Sequence, residues 1–256
     1  MESSPKGAVS PRDQTGGRSF LTLRGSAHES EGNRLLRALP KNEYDRLLPH
    51  LEHAALPFRH VLLEPGERLT HVYFPTSGVA SMINETRDGT VEVASIGNEG
   101  LVGVPVLLHS EHVENRVFMQ VPGEGKRMTA VALRGAIQER PVIARLFYRY
   151  AEALFEQIAQ SVACNRLHTL EERCARSLLI THDRVDDDTF PLTQEILSYM
   201  LGVHRPAVTV AAGILADSGL IKYHRGRITV TDRAGLEAAA CVCYATSRAS
   251  IARLYS

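Results

Sequence analysis

Apolar positions along the chain switch between helical and alternating spacing. Over residues 32–53 they recur at helical spacing (Leu35, Leu36, Leu39, then Tyr44, Leu47, Leu48, Leu51), with Pro40 and Pro49 as breaks. This predicts two short helices. From Ala55 the runs shorten and alternate, giving candidate strands at 61–63, 71–74, 79–84, 91–96, 101–108, 115–121 and 126–131. Pro65-Gly66, Gly78, Asp88-Gly89, Gly97-Asn98-Glu99-Gly100 and Pro122-Gly123 separate them. Strands this short and this regularly spaced predict a closed or double-layered antiparallel β domain of jelly-roll type.

Residues 136–168 then return to helical spacing, with the helix proper beginning near Pro141. Every third or fourth position gives Ile143, Phe147, Tyr150, Leu154, Gln157, Ser161, Cys164 and His168, a stripe apolar at its start and polar at its end. Such a stripe packs on its own domain or pairs with a second copy of the helix. Thr169-Leu170-Glu171-Glu172 reads as a capping box that starts a new helix, so the chain hinges near His168.

The run from Pro191 to Thr231 organises the second half. Thr193 is the expected N-cap of a helix carrying Ile196, Leu197, Met200 and Leu201, and Gly202 ends it in a tight turn. A second helix opens at His204-Arg205-Pro206 and buries Val208, Ala211, Ala212 and Leu215. Arg205 and Thr209 are left outward, with His204 and Val210 beside them. Residues 220–223 and 228–231 form a hairpin whose tip and flanks carry Lys222, Arg225 and Arg227. Helix, glycine turn, second helix and basic wing are the winged helix-turn-helix arrangement, whose second helix enters the DNA major groove. Asp232 caps a final helix running through Leu236, Cys241 and Tyr244.

A chain of 256 residues accommodates two domains, and 29 basic against 29 acidic residues neither supports nor excludes a nucleic-acid partner. The segment 193–231 is mildly basic by itself. Residues 1–30, rich in Ser, Gly, Pro and Arg, read as disordered. The absence of a secretory apolar region, of a long apolar span and of a spaced cysteine framework points to a cytoplasmic protein without membrane contact. Cys164, Cys174, Cys241 and Cys243 read as small buried hydrophobes. Cys241 and Cys243, two apart on one helix, would point to different sides, so no metal site is expected. His50, His53, His60 and His71 have no ligand-like spacing. No phosphate loop, HExxH or GxSxG occurs, which argues against an enzyme.

In order along the chain, Glu64-Pro65-Gly66-Glu67, Thr76-Ser77-Gly78-Val79, Asp88-Gly89 and 96–103 (IGNEGLVG) are followed by Leu192-Thr193-Gln194-Glu195-Ile196, 201–205 (LGVHR) and 215–221 (LADSGLI). This order resembles the Crp/Fnr family of bacterial transcription regulators over residues 32–231. The resemblance implies an α+β chain. It would have a cyclic-nucleotide-binding-like β-roll at 31–135, a connecting dimerisation helix at 136–168, and a winged helix-turn-helix at 169–256 with an extra C-terminal helix. It implies a homodimer on an inverted repeat of double-stranded DNA, with RNA polymerase as a further partner and an unidentified small-molecule effector.

Under the resemblance, Phe147, Tyr150, Leu154, Gln157 and Ser161 form the dimer stripe. Arg205 aligns with the family's base-contacting arginine, and a guanidinium can donate two bonds to guanine. Pro206 stands where a glutamate often follows, so the target should differ from the best-known one. Thr193, His204, Thr209, Lys222, Arg225 and Arg227 complete the expected DNA-contacting set, the last three as phosphate contacts. The family's cyclic-nucleotide cassette has Gly-Glu and Arg-Ser; here Gly103-Val104 and Arg116-Val117 stand there. Gly103 and Arg116 are the remaining ligand-site candidates, but valine cannot accept from a ribose hydroxyl. Cyclic AMP in its usual mode is therefore not expected, and no cofactor is. The alternative is a ligand- or partner-binding module with a vestigial reader.

Overall fold

The computed structural model describes residues 32–256, so the tail at 1–30 lies outside the described residues. Two short helices open the fold, α1 (Arg34–Arg37) and α2 (Lys41–Leu47). Asn33 caps α1 by accepting from the Leu36 amide. Its amide group donates to the carbonyls of Pro75 and Gly100, both at 2.8 Å. One buried side chain thus pins the entry helix to two turns of the β domain.

Seven strands follow: β1 (Glu52–Leu56), β2 (Val61–Leu63), β3 (His71–Pro75), β4 (Val79–Thr86), β5 (Gly89–Ile96), β6 (Arg116–Val121) and β7 (Gly123–Thr129). They form two antiparallel sheets, ordered β1-β7-β3 and β2-β6-β4-β5. Val72, Phe74, Ala80, Leu101, Met119 and Met128 fill the core to which both sheets contribute. Strand β1 escaped the sequence reading. The run 101–108, read as a strand, is instead a short 3₁₀ helix from Val104 to Leu108 entered through Gly103 at φ 109°. Pro105 has no amide hydrogen for a ladder, and Gly103 supplies the turn.

Helix α3 (Ala130–Glu139) begins inside the last predicted strand, where the Thr129 hydroxyl accepts from the Ala132 amide. Arg140 interrupts it in extended conformation and pairs with the buried Glu43 at 2.5 Å. Helix α4 (Pro141–Leu167) then runs through the molecule. The stripe expected to face a second copy does not do so. Phe147, Tyr150 and Leu154 are buried in this chain's own core, with Phe147 edge-on to Phe74. Gln157 donates to the Ser95 carbonyl at 3.1 Å, and the Ser161 hydroxyl bonds back to the Gln157 carbonyl. A separate stripe of α4 is exposed: Tyr148, Phe155 and Val162, seven residues apart, are 45%, 71% and 68% accessible.

The second half comprises α5 (Leu170–His182), β8 (Thr189–Pro191), α6 (Gln194–Leu201), α7 (Arg205–Asp217), β9 (Ile221–His224), β10 (Arg227–Val230), α8 (Arg233–Ala239) and α9 (Cys243–Leu254). The capping box at Thr169–Glu172 is formed. The single final helix is in fact two, because the chain breaks at residues 240–242. Strand β8 pairs with β10, making the wing a three-stranded sheet in the order β8-β10-β9.

The halves meet across the turn at 97–100. Arg184, just after α5, donates to the Glu99 carboxylate at 2.6 Å and to the Ser95 hydroxyl at 2.6 Å; both charged side chains are under a tenth exposed. The two glycines of the turn are needed for this approach. A Cβ on Gly97 would stand 2.7 Å from Arg184 Cδ, and one on Gly100 would collide with the Tyr150 ring. Tyr150 in turn donates to the Leu101 carbonyl at 3.1 Å. Ile83 and Phe118 of the β domain join the hydrophobic core of the second half.

Arg184→Ala would leave Glu99 buried and unpaired, so urea unfolding should show a loss of about 3–5 kcal/mol. A loss of less than 1 kcal/mol would mean that the pair behaves as a surface bridge. Glu92 faces the same seam. Burial pushes its carboxyl up to about 7, against a hydrogen bond from Ser81 and the charges of Arg184 and Arg176. A carboxyl with a raised folded pKa binds excess protons in the folded state. Stability should therefore fall as pH rises from about 4.5 to about 7. Glu92→Gln should flatten that part of the slope in melts taken across the same range, and parallel slopes would exclude the effect.

Candidate nucleic-acid interface

Local rules place the reader. The Thr193 hydroxyl accepts from the Ile196 amide at 3.2 Å and starts α6, while Gly202 at φ 61° ends it. Three residues later α7 begins, with His204 in the N-cap position and Pro206 in the first turn. Its inner face, Val208, Ala211, Ala212 and Leu215, is buried in the core shared with α5 and α6. Arg205, Pro206, Thr209, Val210 and Ile214 are left on the exposed face. Arg205 sits in the first turn with its side chain 60% exposed, where a major-groove helix presents its base-reading residues.

The wing turns through Arg225 and Gly226, both at positive φ (47° and 75°), as a two-residue hairpin of primed type requires. Lys222, His224, Arg225 and Arg227 are exposed on it. Thr193, Gln194, Glu195, Arg205, Tyr223 and Arg225 line one shallow depression between the α6–α7 unit and the wing. Three expected contacts thus gather at one place, and Gln194, Glu195 and Tyr223 are residues the sequence reading passed over. The Thr209 hydroxyl donates to the Arg205 carbonyl and accepts from Gln194, which leaves its methyl free. Arg227 donates to the Thr189 carbonyl at 3.3 Å.

Glu195 also holds Arg205. Its carboxylate pairs with Arg205 at 3.0 Å, accepts from the Tyr199 hydroxyl, and pairs with Arg59, which lies between β1 and β2. Burial would raise this carboxyl, but the bond and charge of Arg59, with Tyr199 and Arg205, hold it below the ordinary carboxylate range. One carboxylate therefore links the β domain to the first turn of α7. No sequence signal marks Arg59, 136 residues away from Glu195.

The two expected ligand contacts are placed differently. Arg116 is held by Glu64 through Nε at 3.0 Å and through Nη2, and by Glu85 at 3.1 Å. Hydrogen bonding to Glu64 raises its pKa despite partial burial. Gly103 packs against Val72, whose Cγ1 would lie 2.8 Å from a Cβ there. Neither arrangement offers a cyclic phosphate a free cation. His50, His53 and His60 are exposed and are not brought together.

The expected absence of a metal-ligand cluster requires correction. Cys164, His168, Cys241 and Cys243 converge, with their potential ligand atoms within 4.8 Å of one another. The break between α8 and α9 places Cys241 before the helix and Cys243 at its start, so the argument from helical spacing fails.

Residues 172–239 match the family model of the Crp-like helix-turn-helix domain. No curated protein matches the sequence. Among solved structures, FixK2 from Bradyrhizobium japonicum superposes with a TM-score of 0.64 at 15% identity, covering 75% of this chain and 98% of that one. A CRP-family transcriptional regulator from Thermus thermophilus gives 0.63 at 17% identity, covering 73% and 96%. The c-di-GMP-responsive global regulator CLP of Xanthomonas campestris gives 0.59 at 18% identity, covering 75% and 99%. The second half of this chain is thus a Crp-like helix-turn-helix domain, a DNA-binding class. The described residues share the Crp/Fnr fold of these structures, with the antiparallel β domain at the N-terminal side. No single helix among the described residues is long and apolar enough to cross a membrane.

Proposed function

We propose that the protein is a sequence-specific transcription regulator without catalytic activity, acting as a homodimer on an inverted-repeat promoter site and not switched by cyclic AMP in the usual mode. The observation that carries this reading is the exposed first turn of α7, with Arg205 above a wing bearing Lys222, Arg225 and Arg227. Arg205 reads base edges. The wing cations contact phosphates, which positions the domain without specifying sequence. Salt-dependent affinity would follow from counterion release. His204 and Thr193 flank the groove-facing turn, and the Thr209 methyl suits a thymine methyl. An exposed face carrying Val210 and Ile214 rather than further cations favours a target with apolar major-groove contacts.

Dimer formation is assigned to Tyr148, Phe155 and Val162. A period of seven keeps them on one face of α4, with Ile158 beside them, and a partner helix of the same sequence would cover them. Two readers related by this pairing would select half-sites about one helical turn apart. Val104 at the ribose-acceptor position and the closed ion pairs of Arg116 argue against cyclic AMP. RNA polymerase is the expected partner at a promoter, and the site of action would be the cytoplasm.

Site selection from random duplex DNA with ligand-free protein should enrich an inverted repeat. Arg205→Ala should lose roughly 1–3 kcal/mol of discrimination at one base pair of each half-site and keep the salt dependence; unchanged selectivity would remove α7 as the reader. Phe155→Glu should yield folded monomers in sedimentation, whereas Leu154→Glu should unfold the chain. Monomers from Leu154→Glu, or a dimer from Phe155→Glu, would reverse the assignment of the two faces.

A further inference from the structure

We propose that Cys164, His168, Cys241 and Cys243 form a tetrahedral binding site for one zinc-like divalent cation, stapling the end of α4 to the junction of α8 and α9. Cys164 lies in the last turn of α4 and His168 caps that helix, its amide bonded to the Cys164 carbonyl at 3.2 Å, which keeps the two residues adjacent. Cys241 and Cys243 come from the break that follows α8. Cys164 and Cys241 sulfurs are 3.5 Å apart, and Cys243 Sγ is 3.5 Å from His168 Nδ1. Around a zinc ion, with bonds of ~2.3 Å to sulfur and ~2.0 Å to nitrogen, tetrahedral angles separate two sulfurs by about 3.8 Å and a sulfur from a nitrogen by about 3.5 Å. All the potential ligand atoms lie within 4.8 Å of one another, so a small contraction of the wider separations would complete the shell. All three thiols are buried and the imidazole is half-buried, unlike the dispersed surface carboxylates that mimic metal sites.

The surroundings suit an anionic site. Three thiolates and a neutral imidazole around a divalent ion carry one net negative charge. Arg173 and Arg176 of α5 stand beside the cluster, within electrostatic reach of Cys164. Each guanidinium donates through Nη2 to a neutral oxygen, Arg173 to the Leu201 carbonyl and Arg176 to the Ser161 hydroxyl, while its Nε is buried without a hydrogen-bond partner. Glu92 already faces Arg176, and an anionic cluster would add a second negative group on the side of Cys164. Gln160 Nε2 donates to Cys243 Sγ at 2.9 Å, a contact that favours thiolate and orients it. An iron–sulfur cluster would interpose its own iron and sulfide atoms and spread the thiolates farther apart. A Cys164–Cys241 disulfide would use two of these groups and leave Cys243 and His168, 3.5 Å apart, outside the bond.

The test is uptake of metal by the reduced, metal-stripped full chain. Titration with Co²⁺ should saturate at one ion per chain, with thiolate-to-cobalt charge-transfer absorption and the intense visible bands of tetrahedral coordination. Zn²⁺ should bleach both and raise the thermal midpoint. Cys241→Ser should lose stoichiometric uptake, while Cys174→Ser, which alters a buried cysteine outside the cluster, should keep it. Should Cys241→Ser fail to fold, His168→Asn at the half-buried edge should retain charge transfer with affinity lowered about tenfold or more. Uptake below one ion per chain, a spectrum without thiolate charge transfer, or equal loss in Cys174→Ser would overturn the site. So would a Cys164–Cys241 disulfide whose reduction restores no uptake. None of these readouts depends on DNA binding.

Discussion

The buried pair between Glu99 and Arg184 is the contact on which the relation of the two halves depends. A carboxylate and a guanidinium removed from water are tolerable only with near-complete hydrogen bonding, and here Ser95 and the Gly97 amide supply the remaining bonds. That requirement fixes the backbone of the turn at 97–100. It keeps residues 97 and 100 without side chains and brings Tyr150 of α4 against the same turn. Connecting helix, β domain and reader are thereby registered on four residues. The motif reads in the sequence as turn chemistry alone; in the fold it is a three-way joint.

A second connection runs at the surface, through Glu195. Its two arginines come from opposite sides of the domain boundary, and one of them is the residue assigned to base reading. Exposed ion pairs contribute little to stability. This one matters as geometry, because the orientation of Arg205 is held by a carboxylate that also answers to a loop of the β domain.

What could be read from the sequence follows from the range of the interactions involved. Thr193, Gly202 and Pro206 act within a few residues of themselves, so the helix-turn-helix and its boundaries were legible, as was the capping box at Thr169. The strands separated by glycine turns were mostly legible too. The face of α4 was not. Phe147, Tyr150 and Leu154 form one apolar stripe and Tyr148, Phe155 and Val162 another, rotated by about one residue (~100°) around the helix. Periodicity detects both, and only the position of the β domain decides which is buried. The convergence of Cys164 with Cys241 was hidden for the same reason, since it rests on a helix break and on a contact 77 residues long. Arg116 retained its expected charge, but Glu64 and Glu85 had already claimed it.

The last helix gives the chain an unusual return path. From α9, Ser250 and Arg253 reach Glu156 of α4, Arg34 lies over the Tyr255 ring at 4.5 Å, and the Tyr255 hydroxyl donates to the Glu99 carbonyl. Together with Ile83 and Phe118 in the reader's core, this makes the hinge at His168 a poor seam for recombination. A chimaera exchanging readers there would strand apolar side chains on one parent and the closing helix on the other. The unit that can be inherited or transplanted intact is therefore the whole chain from the entry helix to its last residues, not either domain.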